Sequence, residues 1–177
     1  MHNFLSSFLA VGFFVSAASV SLLPASASDG PQGEWTFDNW IVIDGDTLHS
    51  ADRRVKIRLY GIDAPELGQD CFDPIRWACG ASSATYLETL IAGRSVTCVE
   101  IGKDRYRRSV AICRNAQGDI GEQMVAQGWV LEYKQYSDGR YNEAERAAQT
   151  ERRGLWISTC FVKPWEWRRE KRCPSDP

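Results

Sequence analysis

The first pattern along the chain is an apolar one. From Leu5 to Leu23 nearly every side chain is apolar or small, none is charged, and the run ends in Ala25-Ser26-Ala27. A small-x-small triplet after such a run matches a secretory signal peptide, so residues 1–27 are expected to be removed and the mature chain to start near Ser28. An uncleaved membrane anchor is the rival reading. Met1-His2-Asn3 carries no Lys or Arg, and the run is close to the about 20 residues that a span requires. Ser6, Ser7, Gly12, Ser16, Ser19 and Pro24 dilute it.

Beyond the leader the periodicity changes to that of strands. Trp35 to Ile43 reads as one strand ending at Asp44-Gly45-Asp46-Thr47, and a second follows around Thr47–Ser50. After a turn at Ala51-Asp52-Arg53, the stretch Arg54 to Tyr60 alternates, with Val55, Ile57 and Leu59 on one face and Lys56, Arg58 and Tyr60 on the other. Gly61 to Glu66 leaves that strand as a loop, because Pro65 has no donor and biases Ala64 toward extended geometry. Leu67–Cys79 reads as a further loop.

Helical spacing then takes over. Ser82 to Ile91 places Ala84, Leu87, Leu90 and Ile91 on one face and stops at Gly93. Two strands follow, Ser95–Ile101 and Arg107–Arg114, flanking Gly102-Lys103-Asp104. Ile120 to Gln127 is a short helix ended by Gly128, and Tyr141 to Arg153 another, stopped by Gly154, with Ala144, Ala147 and Ala148 inward and its charges outward. Three strands, a helix, two strands and then helices is the order of a five-stranded OB-fold barrel, an α+β fold with about three helices, whose open face commonly binds oligonucleotides. With 177 residues and no repeat or linker, residues 28–177 are expected to form one domain with a C-terminal extension from Thr159.

Composition narrows the chemistry. The six cysteines all follow the leader, an even number that fits an oxidising compartment and a secreted or periplasmic protein. Zinc would want C-x-x-C pairs or histidine partners, and neither spacing occurs. Six cysteines allow 15 connectivities; near-neighbour pairing gives Cys71–Cys79, Cys98–Cys113 and Cys160–Cys173. Of two histidines, His2 lies in the leader, so any imidazole chemistry would rest on His49 alone. A carboxylate–metal mechanism is then the default for a hydrolase. The net charge of −2 does not announce a nucleic-acid binder, but Lys103 to Arg108 and Trp165 to Arg172 interleave basic and aromatic residues. Such clusters suit a surface that follows a backbone and stacks bases, although each is also compatible with a solvated face.

Asp46 and Asp63 are oxygen donors of the kind hard divalent cations take, placed where strands end. The bland reading of Asp44-Gly45-Asp46 is an ordinary hairpin turn. Glu66, just beyond the stiffening Pro65, could take a proton from water. Arg58 points away from the core face, free for bidentate pairing with phosphate.

Three blocks in order, Val42-Ile43-Asp44-Gly45-Asp46-Thr47, Ile57 through Glu66, and Lys103 through Arg108, resemble the signature blocks of the thermonuclease (staphylococcal nuclease-like) family. Gln127-Gly128-Trp129 and Arg153-Gly154-Leu155-Trp156 match further habits of that family, so the resemblance runs from about Trp40 to Trp156. It implies a calcium-dependent endonuclease acting on DNA and RNA, most readily single-stranded, cutting on the 5′-oxygen side. Asp46 and Asp63 would bind Ca2+ through carboxylates and Ala64 through its carbonyl. Glu66 would be the general base, and Arg58 and Arg108 would grip the scissile phosphate. Arg105 and Tyr106 would contact a terminal phosphate and sugar, and Tyr136 or Tyr133 would stack on a base. Two departures stand out: Ala64, where the family can have threonine, and Arg107, where a glycine can occur. The protein is expected to be a monomer without membrane association once the leader is gone. Two rival functions remain: a non-catalytic binding module, and an accessory factor in exopolysaccharide (succinoglycan) production. Glycoside hydrolysis by paired carboxylates would have no need of the arginine pair.

Overall fold

The computed structural model describes residues 33–173, so the expected leader lies outside the described residues. The chain opens with β1 (Glu34–Phe37), β2 (Ile41–Asp44), β3 (Thr47–His49) and β4 (Lys56–Leu59), then a two-residue β5 (Ile62–Asp63). A small hairpin, β6 (Cys71–Asp73) and β7 (Ile75–Trp77), leads into α1 (Cys79–Ile91). The strands β8 (Val96–Lys103), β9 (Ser109–Asn115) and β10 (Gly118–Asp119) run into α2 (Ile120–Ala126). Last come β11 (Leu131–Glu132), α3 (Lys134–Ser137), α4 (Asn142–Thr150), a 3-10 turn (Gly154–Ile157) and α5 (Pro164–Trp167).

The expected first strand is in fact two. Residues 38–40 interrupt it, and the halves lie on opposite edges of the main sheet, whose order is β1-β8-β9-β4-β3-β2. A flat six-strand sheet would hold those edges about 24 Å apart at the usual strand spacing of about 4.8 Å. The link from Phe37 to Ile41 can reach only about 14 Å when extended. The sheet therefore has to curl into a half-barrel. Trp40 in the break turns inward, its indole N–H donating to the Val96 carbonyl (3.3 Å) and its ring meeting Phe37 edge-on at 5.0 Å. Neighbouring strands are antiparallel except β4 and β9, which run parallel with Arg58 opposite Val110.

Inside the curl, alternation does what the sequence pattern requires. Leu48, Ile57, Leu59, Val96, Cys98, Ala111 and Cys113 are fully or nearly fully buried, and Leu87, Leu90 and Ile91 of α1 close over them with Met124 and Val125 of α2. A second apolar cluster, Cys71, Cys79, Leu131 and Leu155 with Trp77, Trp156, Phe161 and Trp165, lies where the β6–β7 hairpin meets the C-terminal segment.

Several expectations shift. The Leu67–Cys79 loop contains the β6–β7 hairpin, and α1 begins at Cys79 rather than Ser82. The strand expected from Arg107 starts at Ser109, because Arg107 is in the left-handed region at φ 65°. In α4 it is Glu145 that is buried with Ala148, while Ala147 is exposed. The Glu145 carboxylate is held inside because it accepts a hydrogen bond from the Glu132 N–H at 2.9 Å. The single turns α3 and α5 bring the α-helices to five among the described residues. All three cysteine pairs are joined as expected, and none of the described cysteines is free.

The Cys98–Cys113 bridge joins directly paired positions of β8 and β9 across a sequence separation of 15. Closing a loop of that size removes unfolded-chain entropy worth about 3 kcal/mol. Replacing both cysteines with alanine should lower the unfolding free energy by about that amount in a denaturant titration. A loss under about 1 kcal/mol would show that the strand pairing holds without it.

Candidate active site

A cleft of about 710 Å³ opens on the outer side of β4, bounded by the β2–β3 turn, the segment after β5, the β8–β9 loop, the tyrosines beside β11 and the tail. Its floor is a charged lattice. Asp46, 1% exposed, takes the backbone N–H of Ala64 on Oδ2 at 2.6 Å and the Thr47 hydroxyl on Oδ1 at 3.1 Å. Its Oδ1 also contacts the Arg58 guanidinium. Arg58 reaches on from β4 to Asp63 Oδ1 (2.6 Å) and the Ile62 carbonyl (3.1 Å). Burial pulls the Arg58 pKa below its ordinary value, against the attraction of Asp63.

The backbone that carries these groups is packed too closely for side chains at two glycines. A Cβ on Gly45 would stand 2.1 Å from the Ser83 hydroxyl and 2.8 Å from the Ala64 Cβ, so the β2–β3 turn needs glycine there to lie against α1. A Cβ on Gly80 would come 1.7 Å from the Glu66 carbonyl oxygen. The start of α1 therefore presses directly on the Glu66 backbone. Buried Gln69 fixes the same loop: its Oε1 accepts from the Glu66 N–H (3.3 Å), and its Nε2 donates to the Val162 carbonyl (2.5 Å). The hairpin reading of Asp44-Gly45-Asp46 is correct as geometry. The turn also delivers Asp46 to the floor.

Arg108 stands on the opposite wall. Its Nε donates to Asp104 Oδ2 at 2.7 Å, and its Nη1 lies 3.5 Å from the Thr47 hydroxyl. Asp104 Oδ1 also accepts the N–H groups of Tyr106 and Arg108, each at 2.9 Å, which shapes the loop. Partial burial alone would raise the Asp104 carboxyl. The hydrogen bonds and charge of Arg108 outweigh it and bring the pKa below the ordinary value. Arg105 and Arg108 flank the exposed Tyr106 ring at 5.3 and 5.6 Å. Arg107, beside them, adopts a backbone conformation natural to glycine, which gives a physical reason for glycine at that position elsewhere.

Asp46, Arg58, Asp63, Ala64, Glu66, Arg105, Tyr106, Arg108, Tyr133 and Tyr136 all line this one cleft, and His49 does not. The two tyrosines differ. Tyr133 is stacked on Trp165 at 5.4 Å, whereas Tyr136 meets Tyr133 edge-on and stays 57% exposed. One further residue was missed. Arg168, at the end of α5, donates to Asp63 Oδ2 (2.6 Å) and Glu66 Oε1 (2.7 Å). Its partial burial opposes the charge, but bonds to Asp63 and Glu66 raise its pKa above the ordinary value. The basic and aromatic run from Trp165 to Arg172 marked the tail as interesting, but no local pattern ties a residue 105 positions away to Asp63.

For a hard cation, Asp46, Asp63 and the Ala64 carbonyl are a suitable oxygen set. The two carboxylates are already compensated by positive charge from Arg58 and Arg168, as a cation would compensate them. Among the described residues no cluster of three or more acidic, histidine or cysteine side chains forms a cage for a metal ion.

A curled sheet of this order with such a cleft on its outer face defines an OB-fold of the nuclease type. The family pattern described as "Staphylococcal nuclease homologue" matches residues 56–158, and the chain belongs to that family. It is 36% identical over 135 residues to an "uncharacterized endonuclease" of Haemophilus influenzae, covering 74% of this chain and 71% of that one. A protein of the same description in Escherichia coli is 37% identical over 134 residues, covering 73% and 82%. The "Succinoglycan biosynthesis protein ExoI" of Rhizobium meliloti is 34% identical over 119 residues, covering 65% and 61%.

Arg58→Ala would strand Asp46 without its guanidinium in a buried site. It should lower stability by about 3 kcal/mol in denaturant unfolding, and a loss within about 0.5 kcal/mol would contradict the lattice. Asp104 gives a pH signature. Its folded pKa is depressed, so its contribution is present above the unfolded value of about 3.9 and is lost as pH falls through the folded value. Asp104→Asn should therefore flatten the acid limb of the stability curve below about pH 4, and an unaltered limb would refute the pairing.

Proposed function

We propose that this protein is a secreted, calcium-dependent endonuclease that hydrolyses phosphodiester bonds in DNA and RNA, acting as a monomeric single domain without membrane association. The observation that carries the proposal is the meeting of Asp46, Arg58, Asp63, Glu66 and Arg108 in one open cleft. Family membership and the two relatives named endonucleases support it. The three disulfides fit an oxidising compartment, and no helix among the described residues is long and apolar enough to cross a membrane.

In this reading Asp46, Asp63 and the Ala64 carbonyl hold the calcium. When bound, the ion supplies electrophilic polarisation of a non-bridging phosphate oxygen. Glu66, half-exposed at the cleft, accepts the proton of the attacking water. Arg58 and Arg108 donate N–H groups to the phosphate oxygens, where fixed cations offset the charge that builds up on phosphorus. Arg105 and Tyr106 contact an adjacent phosphate and sugar. Tyr136, with a free face, stacks on a base, and Tyr133 backs it.

The similarity to the succinoglycan biosynthesis protein keeps a second reading open, an accessory role in polysaccharide production. The discriminating assay gives the oxidised protein single-stranded DNA, RNA and an acidic exopolysaccharide, in calcium and in chelator. Cleavage is expected on the nucleic acids, in calcium only. Glu66→Gln should slow it by about 10²–10⁴, and Arg108→Ala by about 10²–10³ while remaining folded. Wild-type turnover by folded Glu66→Gln would remove the assigned base. Depolymerisation of the polysaccharide alone would replace the nuclease reading.

A further inference from the structure

The family match ends at residue 158, yet the cleft does not. Past that point Arg168 lines it, and the segment that carries Arg168, residues 159–173, is built in rather than draped over. The Phe72 N–H donates to the Cys160 carbonyl (3.0 Å), and the Thr159 N–H to the Phe72 carbonyl (3.0 Å). Gln69 ties the Val162 carbonyl to the Glu66 loop. Trp165 stacks on Tyr133 with an interplanar angle of 12°. Pro164 starts α5 at a position that costs no helical hydrogen bond, and the Cys160–Cys173 bridge closes the segment. Every one of these ties fixes where Arg168 stands.

Arg168 holds two carboxylates. Both oxygens of fully buried Asp63 accept from it, Oδ2 at 2.6 Å and Oδ1 at 3.3 Å. Among the described residues it is also the side chain that bonds the Glu66 carboxylate. Glutamate has three rotatable bonds, so without that partner the Glu66 carboxylate has no fixed direction. On Asp63 the same guanidinium places positive charge where a divalent cation would be held.

Resting on the nuclease reading, we propose that Arg168 is a positioning residue supplied by the disulfide-closed tail: it aims the Glu66 carboxylate and competes with calcium for Asp63. The two roles separate by substitution. Arg168→Ala removes both the aim and the competitor. Arg168→Lys keeps the charge but loses the planar fork that spans two carboxylates.

The test measures calcium binding by calorimetry with the metal alone, and kcat and KM on single-stranded DNA, for oxidised wild type and both variants. Near-ultraviolet circular dichroism checks that each is folded. Arg168→Ala should bind calcium about tenfold more tightly, because the competing state no longer taxes the apparent affinity. Its kcat should fall about a hundredfold with KM within about threefold, as expected of a misplaced base. Arg168→Lys should keep near wild-type calcium affinity while its kcat stays low. A tail that only supports the fold would weaken calcium binding and substrate binding together. Calcium binding no tighter in folded Arg168→Ala, or no binding by any of the three proteins, overturns the proposal. So does a kcat within twofold of wild type. Inactive wild type with tighter calcium binding in Arg168→Ala would remove the nuclease reading and leave the competition standing.

Discussion

Two carboxylates set the terms for everything around them. Asp46 and Asp63 are 1% and 0% exposed, and an ionised carboxylate that far from water is stable only when paired and hydrogen-bonded. Arg58 answers both at once from the middle of β4, and Arg168 answers Asp63 from the far end of the chain. The Thr47 hydroxyl and the Ala64 N–H take up the remaining lone pairs of Asp46. The turn before β3, the strand β4, the segment after β5 and the tail are thereby bound into one electrostatic unit. A site of this kind is a charge held in readiness. Its arginines are held in place before any anion arrives, which is what preorganised stabilisation of a phosphate would require, whereas a metal at Asp63 would have to displace Arg168.

Much of this was legible from local pattern. The alternation of Val55, Ile57 and Leu59 placed Arg58 on the outer face, and Pro65 left Glu66 in a loop off the barrel. The order of strands and helices pointed to the fold class, and three blocks in order to the family. Other features depended on forces that no window of sequence contains. The split of the first strand follows from closing the sheet, because consecutive segments must serve opposite edges. Glu145 reads as an outward charge in a helical wheel, yet its carboxylate is drawn in by the backbone of Glu132 thirteen positions away. Arg168 was visible only as one member of a basic run. Its role depends on contacts with residues 63 and 66, which composition cannot specify.

The second apolar cluster deserves the same weight as the first. Leu131, Leu155 and the Cys71–Cys79 bridge form a shallow core on which Trp77, Trp156, Phe161 and Trp165 converge. A hairpin of three-residue strands would be marginal alone. Here the disulfide, the bridge from Phe72 to Cys160 and the aromatic cluster share the burden. That is how a loop and a tail become a wall stiff enough to hold a guanidinium against two carboxylates.

The position of that wall in the chain has a consequence for how the protein is made. Asp46, Arg58, Asp63 and Glu66 all precede Arg168 in the chain, the nearest of them by 102 positions. During synthesis the acidic half of the cleft emerges long before the arginine that closes it. The cleft is finished only after Arg168 has left the ribosome, and the segment bearing it is closed only when Cys160 meets Cys173.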